Sequence, residues 1–151
     1  MGQNGNFKIL LVDDSKDDAF FVEKALNESG MGHSLNIVES AEEAILYLTG
    51  TGKYSERSAF PFPTVILSDL KMPRMSGFEL LRWVRQHPEC GVIPTLLFSS
   101  SAIEADVVEA YRLGANAYMV KPTVLEEFID LLRLTCEYWT RCERPPARQK
   151  C

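Results

Sequence analysis

Five times along this chain a short aliphatic run gives way to a stretch of helical periodicity, and that alternation restricts the possible folds more than any single residue does. The runs are Ile9 to Val12, Leu35 to Val38, Val65 to Asp69, Pro94 to Ser99 and Ala117 to Val120. Leu35 to Val38 alternates in polarity, whereas Val65 to Leu67, set between Pro63 and Pro73, is the continuous kind that suits a parallel strand covered on both faces. A Ser or Thr with an acid three residues on opens the helix after each run, as in a capping box: Ser15 and Asp18, Ser40 and Glu43, Ser76 and Glu79, Ser101 and Glu104, Thr123 and Glu126. The spacing turns Ala19, Val22 and Leu26 inward in the first helix, Ala44, Ile45 and Leu48 in the second, and Phe78, Leu81 and Val84 in the third. In the last helix Leu125, Phe128, Ile129, Leu132 and Trp139 follow the spacing of a core face. Gly30, His87-Pro88 and Gly114 are stop signals.

Strands and helices in strict alternation imply an α/β fold, a parallel sheet with right-handed crossovers and helices on both faces. Of the two common doubly wound arrangements, dinucleotide-binding and flavodoxin-like, five strands favour the second, with strand order 2-1-3-4-5. At 151 residues the chain is the size of one ordinary domain. The reading gives a flexible N-terminus over 1–6, a globular domain over 7–140 and a basic tail over 141–151. Residues 50–63 are a long Gly- and Pro-broken connection whose Tyr54, Phe60 and Phe62 can pack on the body.

Net charge is -5, which disfavours direct nucleic-acid binding, although residues 140–151 are +3 and leave -8 on the rest. The four cysteines lack metal-site spacing, so reduced thiols are expected rather than zinc or a disulfide framework. No stretch is long and apolar enough to span a bilayer, and the start has neither a signal run nor a complete myristoylation motif. The expectation is a soluble cytoplasmic protein without membrane insertion.

Ligands of such sheets bind beyond the carboxyl ends of the strands, where the order reverses. With order 2-1-3-4-5 that crevice lies between strands one and three, and it receives Asp13, Asp14 and Asp69. Three crowded carboxylates repel one another unless a cation joins them, and hard oxygen donors suit Mg²⁺ or Mn²⁺. The turn Val12-Asp13-Asp14-Ser15 has no glycine-rich cradle, so it excludes a nucleotide or flavin phosphate from its usual place. Strand four ends at the hydroxyl of Ser99 and strand five runs into Lys121, fixed by Pro122. A nucleophilic carboxylate, a divalent cation, an ammonium and a hydroxyl make a phosphoryl-transfer site. Singly each has a plainer role: Asp13, Asp14 and Ser99 as helix caps, Lys121 as a solvated base. Their coincidence at one sheet edge is what points to chemistry.

With these residues placed, the sequence resembles the receiver domain of bacterial two-component response regulators over roughly residues 7 to 138. The motifs that carry the resemblance are LLVDDS, VILSDLKMPRMSG, LLFSS and AYMVKP. The resemblance implies that Asp69 accepts a phosphoryl group from a sensor histidine kinase or phosphotransfer protein. It implies that Asp13, Asp14, Asp69 and the Lys71 backbone carbonyl serve the metal, and that Ser99 and Lys121 contact the phosphoryl group. Tyr118 becomes the aromatic that changes rotamer on phosphorylation. Lys71 and Ser101 occupy positions that influence phosphoryl lifetime. The 50–63 loop looks most like small stand-alone regulators paired with phytochrome-type kinases.

Two other functions fit parts of the pattern. A Mg²⁺-dependent phosphatase or phosphotransferase needs a second carboxylate two residues past the nucleophile, where Lys71 stands. A binding-only receiver would have lost an acid or the lysine, and none is lost. The last two helices are more apolar than one buried stripe requires. Val107, Tyr111, Tyr118, Leu131 and Tyr138 are therefore expected to form a face for a homodimer or partner.

Overall fold

The computed structural model describes residues 7–29, 33–146 and 150–151. The five strands are β1 (Lys8–Val12), β2 (Ser34–Val38), β3 (Val65–Asp69), β4 (Thr95–Ser99) and β5 (Ala117–Val120). The helices that follow them in turn are α1 (Lys16–Ser29), α2 (Ala41–Thr49), α3 (Gly77–Gln86), α4 (Glu104–Arg112) and α5 (Leu125–Arg141). All strands pair in parallel in the order β2-β1-β3-β4-β5, the flavodoxin-like arrangement expected. The expected stop at Gly30 and the segment 1–6 lie outside the described residues.

Burial explains which strand residues go where. Ile9, Leu11, Val65, Leu67, Leu96 and Phe98 face one side and pack on Val22 and Leu26 of α1 and Phe128, Leu132 and Cys136 of α5. Their neighbours Leu10, Val12 and Ile66 face the other side, against Ala44 and Leu48 of α2 and Leu80 and Val84 of α3. Central strands covered on both faces cannot alternate in polarity, which is why β3 and β4 are buried throughout.

Capping was legible in part. Ser40 caps α2 through its side chain, and Gly50 closes that helix in the left-handed conformation at φ 68°. Ser76 and Glu79 make the full reciprocal box on α3. The other starts differ. α4 begins from Ile103 and α5 from Val124, neither with a side-chain cap. Ser101 Oγ donates to Asp106 Oδ2 at 2.7 Å instead of pairing with Glu104. Leu125 keeps the spacing of Phe128, Ile129 and Leu132, but as the first residue of α5 it is exposed, contrary to the core role expected of it.

The 50–63 connection is ordered, not a loose insertion. It holds a 3-10 turn (Gly52–Ser55), and Tyr54 and Phe60 stack edge-on beside Tyr47. Arg57 donates to the Tyr47, Leu48 and Phe60 carbonyls and its guanidinium lies over the Phe62 ring. At the other end of the chain the tail crosses the N-terminal edge of the sheet. Arg144 is buried with its guanidinium over Phe7 and donates to the Trp139, Thr140 and Cys142 carbonyls. Cys151 donates its amide to the Leu48 carbonyl at 3.0 Å and forms a disulfide with Cys90, Cα atoms 5.3 Å apart. That pairing corrects the expectation of free thiols; Cys136 and Cys142 remain unpaired as disulfides.

Candidate functional site

Four of the five strand ends bring functional groups to the crevice. Asp13 and Asp14 follow β1, Asp69 and Ser99 terminate β3 and β4, and Lys121 follows β5. The β1–β3 register pairs Val12 with Ser68, which sets Asp13 beside Asp69. One carboxylate oxygen from each of Asp13, Asp14 and Asp69 falls within a 4.8 Å group. Asp13 is buried and Asp14 is exposed.

The loop after β3 is held shut at its neck. Gly77 donates to the Leu70 carbonyl at 2.8 Å, and a Cβ on Gly77 would stand 2.4 Å from the Asp69 carbonyl oxygen, so no side chain fits there. Within the loop Arg74 takes a left-handed conformation at φ 68°. Lys71, Met72 and Pro73 border a cleft of about 590 Å³ that also meets Asp14, Ser76, Phe78 and Asp106.

The electrostatics are unbalanced. Asp13 Oδ1 accepts from the Ser15 amide at 2.9 Å, but Oδ2 is buried without a hydrogen bond and Lys121 Nζ stands off at 3.6 Å. Burial pushes the Asp13 carboxyl up to about 7, against the pull of the Ser15 amide and Lys121. Asp69 is raised too, by burial first, with Lys121 and the Leu70 amide opposing. Its Oδ1 accepts from Leu70 at 2.8 Å and lies 3.4 Å from Lys121 Nζ. Burial disfavours the Lys121 ammonium, yet the hydrogen bond to Asp18 and the charges of Asp13 and Asp69 outweigh it and raise its pKa. The lysine sits above the Phe98 ring at 4.6 Å.

A buried carboxylate oxygen with no donor, beside two further carboxylates, is a fit for a hard divalent cation. Asp13, Asp14 and Asp69 would hold it. Such a cation would supply charge neutralisation to an anionic group entering the crevice.

Ser99 and Tyr118 meet through one residue. Ser99 Oγ accepts from the Ser101 amide at 3.1 Å, and Tyr118 donates its hydroxyl to the Ser101 carbonyl at 2.8 Å. Of the outward face expected on the last two helices, Tyr111 and Tyr138 are exposed, while Val107, Tyr118 and Leu131 are only half-buried. Leu134, which shares a second apolar stripe with Leu131 and Tyr138, is exposed as well, and so are Val108, the neighbour of Val107, and Val120 on β5.

Fold and site together define a class. Residues 9–133 match the response regulator receiver domain, and the chain belongs to that family, in which two-component systems keep their receivers. Among its relatives, Response regulator Rcp1 of Synechocystis is 32% identical over 139 residues, 92% of each chain. The phosphorylated cyanobacterial phytochrome response regulator RcpA superposes with a TM-score of 0.86 at 31% identity, over 93% of this chain and 99% of that one. A Mn²⁺-bound form of Rcp1 gives a TM-score of 0.85 at 32% identity, over 93% and 99%.

Proposed function

We propose that this chain is a phosphoacceptor switch in which Asp69 takes a phosphoryl group from a phosphohistidine on a sensor histidine kinase or phosphotransfer protein. The observation that carries it is the convergence of Asp69, two further carboxylates with an unsatisfied oxygen, and Lys121 on one crevice. Mg²⁺ is the proposed cation, Mn²⁺ a substitute that the Mn²⁺-bound relative makes reasonable, and the Lys71 carbonyl a further donor to it.

In the reaction an Asp69 carboxylate oxygen forms the new P–O bond as the donor's P–N bond breaks, and the departing imidazole keeps the bonding pair. Leu70 and Lys121 both address Asp69 Oδ1, which leaves Oδ2 as the attacking atom. Lys121 neutralises the charge brought in by the phosphoryl oxygens. The protein catalyses only this change on itself and its reversal, so it is a switch and not an enzyme acting on other substrates. A cytoplasmic location follows from a donor charged with ATP.

The change of state runs through Ser101. Turning the Ser99 hydroxyl to a phosphoryl oxygen gives up the Ser101 amide, and the loop it held also carries the carbonyl that Tyr118 grips. Two packings of Tyr118 beneath α4 are then biased by phosphorylation. The face that reads them is formed by α4, β5 and α5, where Val108, Tyr111, Leu134 and Tyr138 are exposed, and its proposed occupant is a second copy of the chain.

Intact mass after acetyl phosphate and Mg²⁺ tests the acceptor. Wild type should gain one phosphoryl group that hydroxylamine removes, and Asp69→Asn should gain none. Continued stoichiometric labelling of that variant sinks the assignment. Sedimentation with and without beryllofluoride tests the face: wild type should dimerise with the analogue, and Tyr111→Asp with Leu134→Asp should remain a monomer.

A further inference from the structure

Asp18 stands in a capping-box position that the structure does not use as one. Its amide does donate to Ser15 Oγ at 3.2 Å, the first half of a box. The second half would be its carboxylate on the Ser15 amide, as Glu79 does for Ser76 at 2.8 Å. Here Asp13 Oδ1 occupies the Ser15 amide instead, at 2.9 Å. The Asp18 carboxylate is thereby released, and Oδ2 reaches across 103 residues of sequence to Lys121 Nζ at 2.6 Å.

That contact is the shortest of the three carboxylate contacts the ammonium makes. Asp69 lies at 3.4 Å and Asp13 at 3.6 Å. Asp18 is outside the group of Asp13, Asp14 and Asp69 that can share a cation. It comes instead from α1, on the side of a separate cavity of about 500 Å³ bordered by Phe21, Ser100 and Thr123. A lysine on a four-carbon stem has many rotamers, and three of its N–H groups can be shared among acceptors. With one N–H fixed by Asp18 and the charge set above the Phe98 ring, the ammonium is held at the crevice with two donors left for Asp69 and its phosphoryl group.

We propose that Asp18 is a positioning residue for the phosphoryl chemistry, acting through Lys121 and not through the metal; this rests on the phosphoacceptor reading of Asp69. Sharing the ammonium with Asp18 orders the lysine before a phosphoryl group arrives, so the group meets a charge already in place.

The test is the rate of labelling by acetyl phosphate at saturating Mg²⁺, followed by intact mass in a double-mutant cycle. Asp18→Ala and the near-isosteric Asp18→Asn should slow labelling by about tenfold, because a misplaced charge loses its effect over small distances. In a Lys121→Met background the same changes should alter the rate less than twofold, since the group they position is gone. Mg²⁺ affinity, titrated by tryptophan fluorescence or calorimetry, should change less than twofold in Asp18→Asn. An unchanged or faster rate in both single variants overturns the proposal. So does an equal slowing with and without Lys121, which would mark a general disturbance of α1. If wild type takes no hydroxylamine-sensitive label, the acceptor reading fails and this falls with it; if wild type labels on Asp69 and the Asp18 variants keep pace, only the positioning role fails.

Discussion

The two edges of the sheet are built on opposite terms. At the N-terminal edge several polar side chains are bonded to the backbone. Thr64 exchanges hydrogen bonds with both backbone groups of Lys8, and Asn116 Oδ1 accepts from the Thr95 amide. Arg85 donates to the carbonyls of Gly91, Ile93 and Gly114, and the tail lays Arg144 on Phe7 before Cys151 bonds Cys90. At the C-terminal edge, Asp13 keeps a buried oxygen with no donor, and three carboxylates compete for one ammonium. The contrast teaches where stability and chemistry are separated: one edge is closed by packing, a disulfide and side chains bonded to the backbone, and the other is left short of positive charge in a way that fits a cation.

The largest test of this contrast acts on the closed edge. The disulfide spans 61 residues, and opening it should cost roughly 4 kcal/mol by chain-entropy reasoning. A urea midpoint lowered by reductant, and equally lowered without reductant in Cys151→Ser, is the expected outcome. A midpoint indifferent to reductant would show that packing alone holds the tail.

Next comes pH at the open edge. A buried carboxyl raised to about 7 binds its proton more tightly folded than unfolded, so its contribution to stability is present at low pH and is lost as pH rises through 7. Without divalent metal, stability should fall by roughly 2–3 kcal/mol between pH 5 and pH 8 from this group. Millimolar Mg²⁺ should flatten the slope, because a cation replaces the proton. Urea melts at the two pH values, with EDTA or Mg²⁺, measure both.

The smallest effect is a gain. Asp69→Asn removes one of the crowded charges whose pKa burial already raises, and in EDTA at pH 8 it should be more stable than wild type by about 1 kcal/mol. Equal midpoints would mean that Lys121 already balances the cluster.

What could be read from the chain depended on how local its cause was. Strand positions, sheet order and the convergence of Asp13, Asp14, Asp69, Ser99 and Lys121 follow from period and topology, and the structure brings them to one crevice. The caps at Ser40 and Ser76 are local and were legible, whereas α4 and α5 start without a side-chain cap, Ser101 being bonded to Asp106 instead. Asp18 read as a cap because its spacing is a cap's spacing; only tertiary proximity to Lys121 shows otherwise. Cys90 and Cys151 had no signal at all, because the path of the tail, not spacing, brings them together.

The missing side chain at Gly77 ties down both ends of the loop after β3. The helix start presses on the Asp69 carbonyl so closely that the two ends of the intervening segment form a cinched knot, fastened by the Gly77 amide on Leu70. Arg74, in the left-handed conformation, lies on the rim of that loop, away from the fastened base. The rim that borders the cleft is thus separated from Asp69 by a fastened base. The same tightness makes position 77 intolerant of any β-carbon, so even Gly77→Ala should wedge strand and helix apart from within.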